Sequence, residues 1–164
     1  MFDAFSTRAK QIVFAARFKA GERGAKMIDV DDLLVGLVLE DQGLEENMFP
    51  KLFEGRGTLL NRASSRIPFF SPEIANNLLT KMRDLLPEAQ PVGHSTEMPV
   101  SPALERVFHA SKDFQLQFQQ SQTEPLHLLA AILAEESSQG VKLLQEFGIT
   151  QEKVLGRLRG TAEN

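Results

Sequence analysis

Apolar residues along this chain recur at intervals of three and four, and one such pattern is laid down twice. Between Val30 and Asp41, Leu33, Leu34, Leu37 and Val38 form a broad apolar face, and the intervening Val35, Gly36 and Leu39 are uncharged. That segment predicts a helix buried on most sides. Displaced by 95 residues, Leu128, Leu129, Ile132 and Leu133 repeat the face, with Glu135 standing where Glu40 stood. The same displacement carries Ser6 onto Ser101, Ile12 onto Val107, Ala15 onto Ala110 and Arg17 onto Lys112. It also sets Met48, Phe49 and Leu52 against Leu143, Leu144 and Phe147. One displacement shared by three segments marks an internal duplication.

Capping residues set the expected boundaries. Ser6 accepts a backbone N–H that a first turn leaves free, so a helix is expected over Thr7–Glu22. Ala9, Ile12, Val13 and Ala16 give it a narrow stripe that admits a close neighbour, and Gly21 and Gly24 end it. Asp29 caps the second helix, Asp31 and Asp32 place negative charge in its first turn, and Gly43 closes it. Leu44–Phe53 reads as a short helix interrupted by Pro50, and Thr58–Arg66 as a fourth. Ser71, Pro72 and Glu73 start another helix, with Ile74, Leu78, Leu79, Met82, Leu85 and Leu86 on its apolar face and Pro87 as its stop. Residues 87–99, with Gly93 and three prolines, are the expected linker and the expected mobile stretch.

In the second copy, Ser101-Pro102 opens a helix to about Gln119, with Leu104, Val107, Phe108, Ser111 and Phe114 or Phe118 inward. Pro125 opens the second buried helix. Ser138 and Gly140 lead into Val141–Phe147, closed by Gly148 in the left-handed region. Thr150 caps a last helix carrying Val154, Leu155 and Leu158, which Gly160 is expected to end. No alternating strand pattern occurs, so the fold class is all-α. One domain is expected over 1–164, with repeat one at about 5–66, a helix and linker at 67–99, and repeat two at about 100–160.

Composition narrows the function. At 164 residues the chain can bury a substantial core. A net charge of −4 and a pI near 5.4 argue against nucleic-acid or anionic-membrane partners, which call for a basic stripe. Lys51, Arg56, Arg62 and Arg66 form the one local basic cluster and read as a solvated helix face. The absence of cysteine rules out disulfides and thiolate zinc sites. No apolar run reaches membrane-spanning length and the start lacks signal-peptide character, so a soluble cytoplasmic protein is expected.

The motifs resemble a known repeat. Phe5-Ser-Thr-Arg-Ala9, Gly24, Ile28 and Asp31-Asp-Leu-Leu-Val-Gly-Leu37 are similar to the repeat of the Clp N-terminal domain. Its pattern is an aromatic, Ser/Thr, two variable residues and Ala, then a Gly before Ile-x-x-Glu-His-Leu-Leu-x-x-Leu. Val100-Ser-Pro-Ala-Leu104 with His127-Leu-Leu-Ala-Ala-Ile132 resembles the second copy, and Gly140–Ile149 the segment that follows. The resemblance implies two pseudo-twofold-related four-helix repeats, here spaced more widely than usual by the 71–87 helix and its linker. In ClpA- and ClpC-type AAA+ unfoldases such a domain has no catalytic activity; it docks adaptors or substrates and precedes the ATPase rings. It also occurs in free-standing accessory proteins. In some members the acidic residue of the Glu-His pair, with the Ser/Thr that begins the first helix, helps bind phosphorylated arginine. Asp31 and Ser6 keep those groups in the first copy, whereas Leu126 replaces the carboxylate beside Ser101 in the second. The resemblance therefore implies one such site at most, made by Ser6 and Asp31.

Candidate ligand- or partner-binding residues are thus Ser6, Asp31, Asp32, Ser101 and His127, each with a structural reading beside the functional one. Asp29, Asp31 and Asp32 are accounted for by capping and dipole compensation. Ser6 and Ser101 lack the adjacent base a nucleophile needs and read as caps. His127 is expected to hydrogen-bond at the start of its helix. His94, His109 and His127 have no metal-binding spacing, and no phosphate-binding glycine loop occurs, so no catalytic residue, metal or cofactor is expected. Phe114 and Phe118 stand in a glutamine-rich segment and would be peptide-docking points if exposed. The expected function is a non-catalytic module that docks adaptor, substrate or regulator proteins for a Clp-type unfoldase, linked or separate. The alternative is a free-standing accessory or regulatory protein.

Overall fold

In a computed structural model, residues 2–44, 68–93 and 97–163 are described, the side chains of 161–163 excepted. They form seven helices: α1 (Thr7–Glu22), α2 (Val30–Asp41), α3 (Pro72–Leu85), α4 (Pro102–Gln117), α5 (Pro125–Ile132), α6 (Gln139–Glu146) and α7 (Gln151–Glu163). The expected third and fourth helices of the first copy, the basic cluster and His94 lie outside the described residues.

The duplication is written into the backbone. Phe5 and Thr123 form an isolated parallel bridge, and so do Ile28 and Val100. Adding 95 to Phe5 gives Val100, and adding 95 to Ile28 gives Thr123, so a twofold axis relates the two bridges. Their hydrogen bonds match in pairs. The Ser6 N–H donates to Thr123 O at 3.0 Å as the Ser101 N–H donates to Ile28 O at 2.9 Å. Thr123 N donates to Ala4 O as Ile28 N donates to Pro99 O, at 2.8 and 2.9 Å. Each copy therefore feeds the start of its first helix into the loop of the other.

Helix packing follows the sequence pattern. Leu33, Leu34, Leu37, Val38, Leu128, Leu129 and Ile132 are all buried, each side chain stabilising by about 1.5–3 kcal/mol. The α1–α2 contact is close because Gly36 offers no side chain. A Cβ there would lie 2.6 Å from the Ile12 carbonyl oxygen and 2.8 Å from the Ala16 nitrogen. Its second-copy counterpart is Ala131. α3 packs on α2 and on α6, and α7 packs on α5.

Several boundaries differ from expectation. α4 stops at Gln117, because Phe118 turns inward to be buried and Gln119 takes a left-handed φ of 55°. α7 passes through Gly160 to Glu163; nothing approaches that glycine, so nothing there forces the chain out of the helix. Leu85 is exposed, and the buried face of α3 is Ala75, Leu78 and Met82. Residues 87–93, expected as a free linker, are tied to the end of α1. Ala89 N donates to Arg23 O and Val92 N to Gly21 O, both at 2.8 Å.

Candidate functional site at the crossed helix starts

The serine and acidic candidates sit where the copies cross. Ser6 Oγ accepts from Ala9 N at 3.1 Å and donates to the Glu124 carboxylate of the second copy. Ser101 Oγ accepts from Leu104 N at 3.0 Å and donates to Asp29 Oδ1 of the first copy at 2.7 Å. Glu124 is the counterpart of Asp29, so the two clusters are equivalent. Each hydroxyl is held between a helix N–H and a carboxylate, as a cap requires. Burial pushes the Glu124 carboxyl above its ordinary range, opposed by the Ser6 hydrogen bond.

Asp32 and His127 occupy equivalent positions and cap in the same way. The Asp29 N–H donates to Asp32 Oδ2 at 3.0 Å, and the Glu124 N–H donates to His127 Nδ1 at 2.8 Å. Their outer partners differ. Asp32, almost fully buried, receives both Nε and Nη2 of Arg23 at 2.9 and 2.8 Å. Burial raises the Asp32 pKa against the pull of that guanidinium, while the hydrogen bond to Asp32 raises Arg23. The second-copy counterpart of Arg23 is Phe118. His127 is accordingly neutral: burial lowers its pKa to about 4. With Nδ1 accepting, its proton sits on Nε2, a buried donor with no hydrogen-bond partner among the described residues.

Asp31 serves neither serine. Its Oδ1 accepts from the Ser138 hydroxyl and from the Gly140 N–H at 3.0 Å, which fastens α6 of the second copy to the start of α2. A Cβ at Gly140 would lie 3.1 Å from that oxygen, so the glycine is what lets the backbone approach. The expected pairing of Asp31 with Ser6 is not what the fold makes. Ser6 stands by Glu124 and Ser101 by Asp29, across the copies. The reason is topological, since the crossed bridges put the start of each first helix beside the start of the partner copy's second helix.

At the equivalent place in the second copy, where Leu126 replaces Asp31, a cavity of about 240 Å³ opens. Arg8, Glu124, Leu126 and His127 line it, with Phe69 and Arg157 on the far wall. Arg8 is held by Glu40 through both guanidinium nitrogens, and Arg157 lies 5.8 Å from the Phe69 ring centre. The wall thus combines apolar surface with two cations, Arg8 already paired to Glu40, and the carboxylates of Asp41 and Glu124, while the His127 Nε2 itself is buried. Sequence reasoning missed Arg8, Glu124 and Arg157, and missed the Arg23–Asp32 pair. The displacement of 95 carried the last signal, since Arg23 and Asp32 change together to Phe118 and His127.

Among the described residues no group of histidine and carboxylate side chains is placed to hold a metal, and no helix is long and apolar enough to cross a membrane. His109 is exposed on α4, and of the glutamine-rich segment Phe118 is buried and Phe114 half-buried.

Comparison with known proteins agrees with this architecture. The chain is 23% identical over 164 residues to the chloroplastic chaperone protein ClpD of Arabidopsis thaliana, covering 98% of this chain and 16% of that protein. It therefore spans about a sixth of that relative's length. The crystal structure of the N-terminal domain of Arabidopsis ClpD, a caseinolytic protease associated chaperone, superposes with a TM-score of 0.63 at 18% identity, over 100% of this chain and 97% of that one. The Hsp104 N-terminal domain from Candida albicans gives 0.61 at 16% identity, over 98% and 89%. A structure from a malarial protein secretion system gives 0.66 at 15% identity, over 98% and 95%. The pattern of the Clp repeat (R) N-terminal domain matches residues 4–147 and 99–163, and the chain belongs to that family.

Proposed function

We propose that the chain is a non-catalytic protein-interaction module that docks adaptor or substrate proteins for a Clp-type ATP-dependent unfoldase, in a reducing compartment such as the cytoplasm. The observation that carries this reading is the open cavity at the start of α5. Leu126 and Phe69 offer apolar surface there, and Arg8, Arg157, Asp41 and Glu124 set charges of both signs around it. An apolar wall with a few fixed polar groups suits a partner's side chain and a carbonyl or carboxylate beside it. At the corresponding start of α2, Asp31 is occupied by Ser138 and Gly140 at the start of α6, and the groove beside it is lined by Lys26, Asp29 and Gln139 in place of an apolar wall, which supports the second-copy cavity as the apolar contact site.

Catalysis has no support in the same groups. The Ser6 and Ser101 hydroxyls are each engaged by a carboxylate and a helix N–H, and among the described residues no imidazole is hydrogen-bonded to either. The test pairs binding with turnover. A permanently unfolded protein, such as reduced and carboxymethylated lactalbumin, is expected to bind saturably, and Leu126→Asp to weaken it about tenfold or more. Nucleotide, peptide and ester hydrolysis are expected to stay at background. Turnover lost on changing Ser6 or His127, or binding indifferent to Leu126, would overturn the reading.

A further inference from the structure

Residues 86–93 run across the C-terminal end of α1, and backbone atoms make the contact. Besides the Ala89 and Val92 N–H groups given to Arg23 O and Gly21 O, Arg23 Nη1 donates to Pro87 O at 3.3 Å and Arg17 Nη2 to Gly93 O at 2.9 Å. A helix leaves its last carbonyls short of donors, and this strap supplies one to Arg23 O and a second to Gly21 O, which also accepts from Gly24 N at 3.1 Å. The side chains of residues 87–91 are exposed.

The floor under the strap is glycine. A Cβ at Gly24 would lie 2.4 Å from Gln90 O and 2.6 Å from the Ala89 carbonyl carbon, and one at Gly21 would lie 3.0 Å from Val92 O. The second copy supplies the control. There the equivalents are Leu116 and Gln119, both exposed, and Gln119 adopts the left-handed turn with φ 55°. Turning the chain at this point does not itself demand glycine; the strap's backbone does. Grooves of about 420 and 400 Å³ open on either side of the crossing, and Arg23, Leu86 and Glu88 line both.

We propose that residues 86–93 are a self-docked segment that fills a site for an extended stretch of a partner polypeptide. Such a stretch offers N–H groups to the Gly21 and Arg23 carbonyls and carbonyls to Arg17 and Arg23, as strands added to an open edge do. Its side chains stay outside or enter the flanking grooves, so the site reads backbone and tolerates varied sequences. The strap buries no side chain between Pro87 and Pro91, so its release exposes little apolar surface, and an incoming segment replaces its bonds one for one. This rests on the binding-module reading and adds a second contact, remote from the α5 cavity and gated by the chain itself.

Ala89→Pro with Val92→Pro removes both donating N–H groups and releases the strap. The probe is a fluorescein-labelled peptide of residues 86–93, Leu-Pro-Glu-Ala-Gln-Pro-Val-Gly. It is expected to bind the released chain about tenfold or more tightly than the parent, whose tethered strap competes at high effective concentration. Gly24→Val in the released chain is expected to abolish that binding. In the parent, Gly24→Ala alone is expected to speed hydrogen exchange at the Ala89 and Val92 amides about tenfold or more, with α5 amides unchanged. This second measurement decides the matter if the double proline variant does not fold. Equal binding to parent and released chain, no binding to a folded released chain, binding that survives Gly24→Val, or unaltered exchange would each overturn the proposal. Failure here with Leu126-dependent binding intact would remove this site and leave the module standing.

Discussion

The two copies share a frame and differ in what covers it. Both begin their first helix on a serine that bonds a carboxylate of the other copy, and both enter the bridge with the same hydrogen bonds. Away from that frame they part. Arg23 and Asp32 become Phe118 and His127, Gly21 and Gly24 become Leu116 and Gln119, and Asp31 becomes Leu126. Four first-copy residues in that set meet a covering element, α6 over Asp31 or the strap over Gly21, Arg23 and Gly24, and the fifth, Asp32, is covered by Arg23. Among the second-copy counterparts, Leu116 and Leu126 are uncovered, the first 60% exposed and the second lining a cavity, whereas Phe118 and His127 are buried. Backbone pairing that holds two repeats together is common to them, whereas side chains at the helix ends are free to specialise one copy for closure and the other for contact.

Breaking the covered copy gives the largest expected effect. Arg23→Ala leaves Asp32 buried without its cation and is expected to cost about 3–5 kcal/mol in urea unfolding. Transplanting the second-copy pair, Arg23→Phe with Asp32→His, is expected to recover at least half of that; no recovery would mean that the two positions are not interchangeable solutions. Next, Leu33→Ala and Leu128→Ala empty equivalent core positions and are each expected to cost about 2–5 kcal/mol. Both variants are expected to unfold in one transition, and a biphasic curve would show that the copies fold as separate units.

A smaller effect separates the copies by pH. His127 has a folded pKa of about 4, below its unfolded value of 6.5, so the unfolded chain binds more protons between them. Its contribution is complete above pH 6.5 and is lost as pH falls toward 4. The loss is on the order of 3 kcal/mol, measured as the difference between the parent and His127→Gln across that range. Burial holds Asp32 and Glu124 above their ordinary range, with the opposite slope, but both are present in parent and variant and cancel in the difference. A parent and variant with the same pH profile would place a charged imidazole in the folded state. Smallest are the caps: Ser6→Ala and Ser101→Ala are each expected to cost about 1 kcal/mol, and nearly equally, since both hydroxyls do the same work.

The frame was legible in the sequence because it depends on periodicity and caps. Ser6, Ser71, Ser101 and Ser138 all cap as their positions suggest, and the displacement aligned Leu33 with Leu128, both buried. His127 also bonds where a histidine at the third helical position should. What sequence could not supply was crossing. A repeat read along the chain pairs Ser6 with Asp31, whereas the twofold places Ser6 by Glu124, more than a hundred residues away. Nor does a proline- and glycine-rich stretch announce that it lies over Gly21 and Gly24, because the signal is two glycines remote from it, and they read as an ordinary helix stop. Gly160 misled for the reverse reason: glycine ends a helix only where a left-handed turn or a close neighbour demands it.

The account turns on the second copy being the open one. Titrating isotope-labelled chain with the unfolded lactalbumin and following amide shifts tests that directly. The largest shifts are expected at Glu124–Leu129 and at Arg8, with the equivalent Asp29–Leu34 unmoved while α6 stays fastened to Asp31. Equal shifts at both helix starts, or shifts confined to the first, would contradict it.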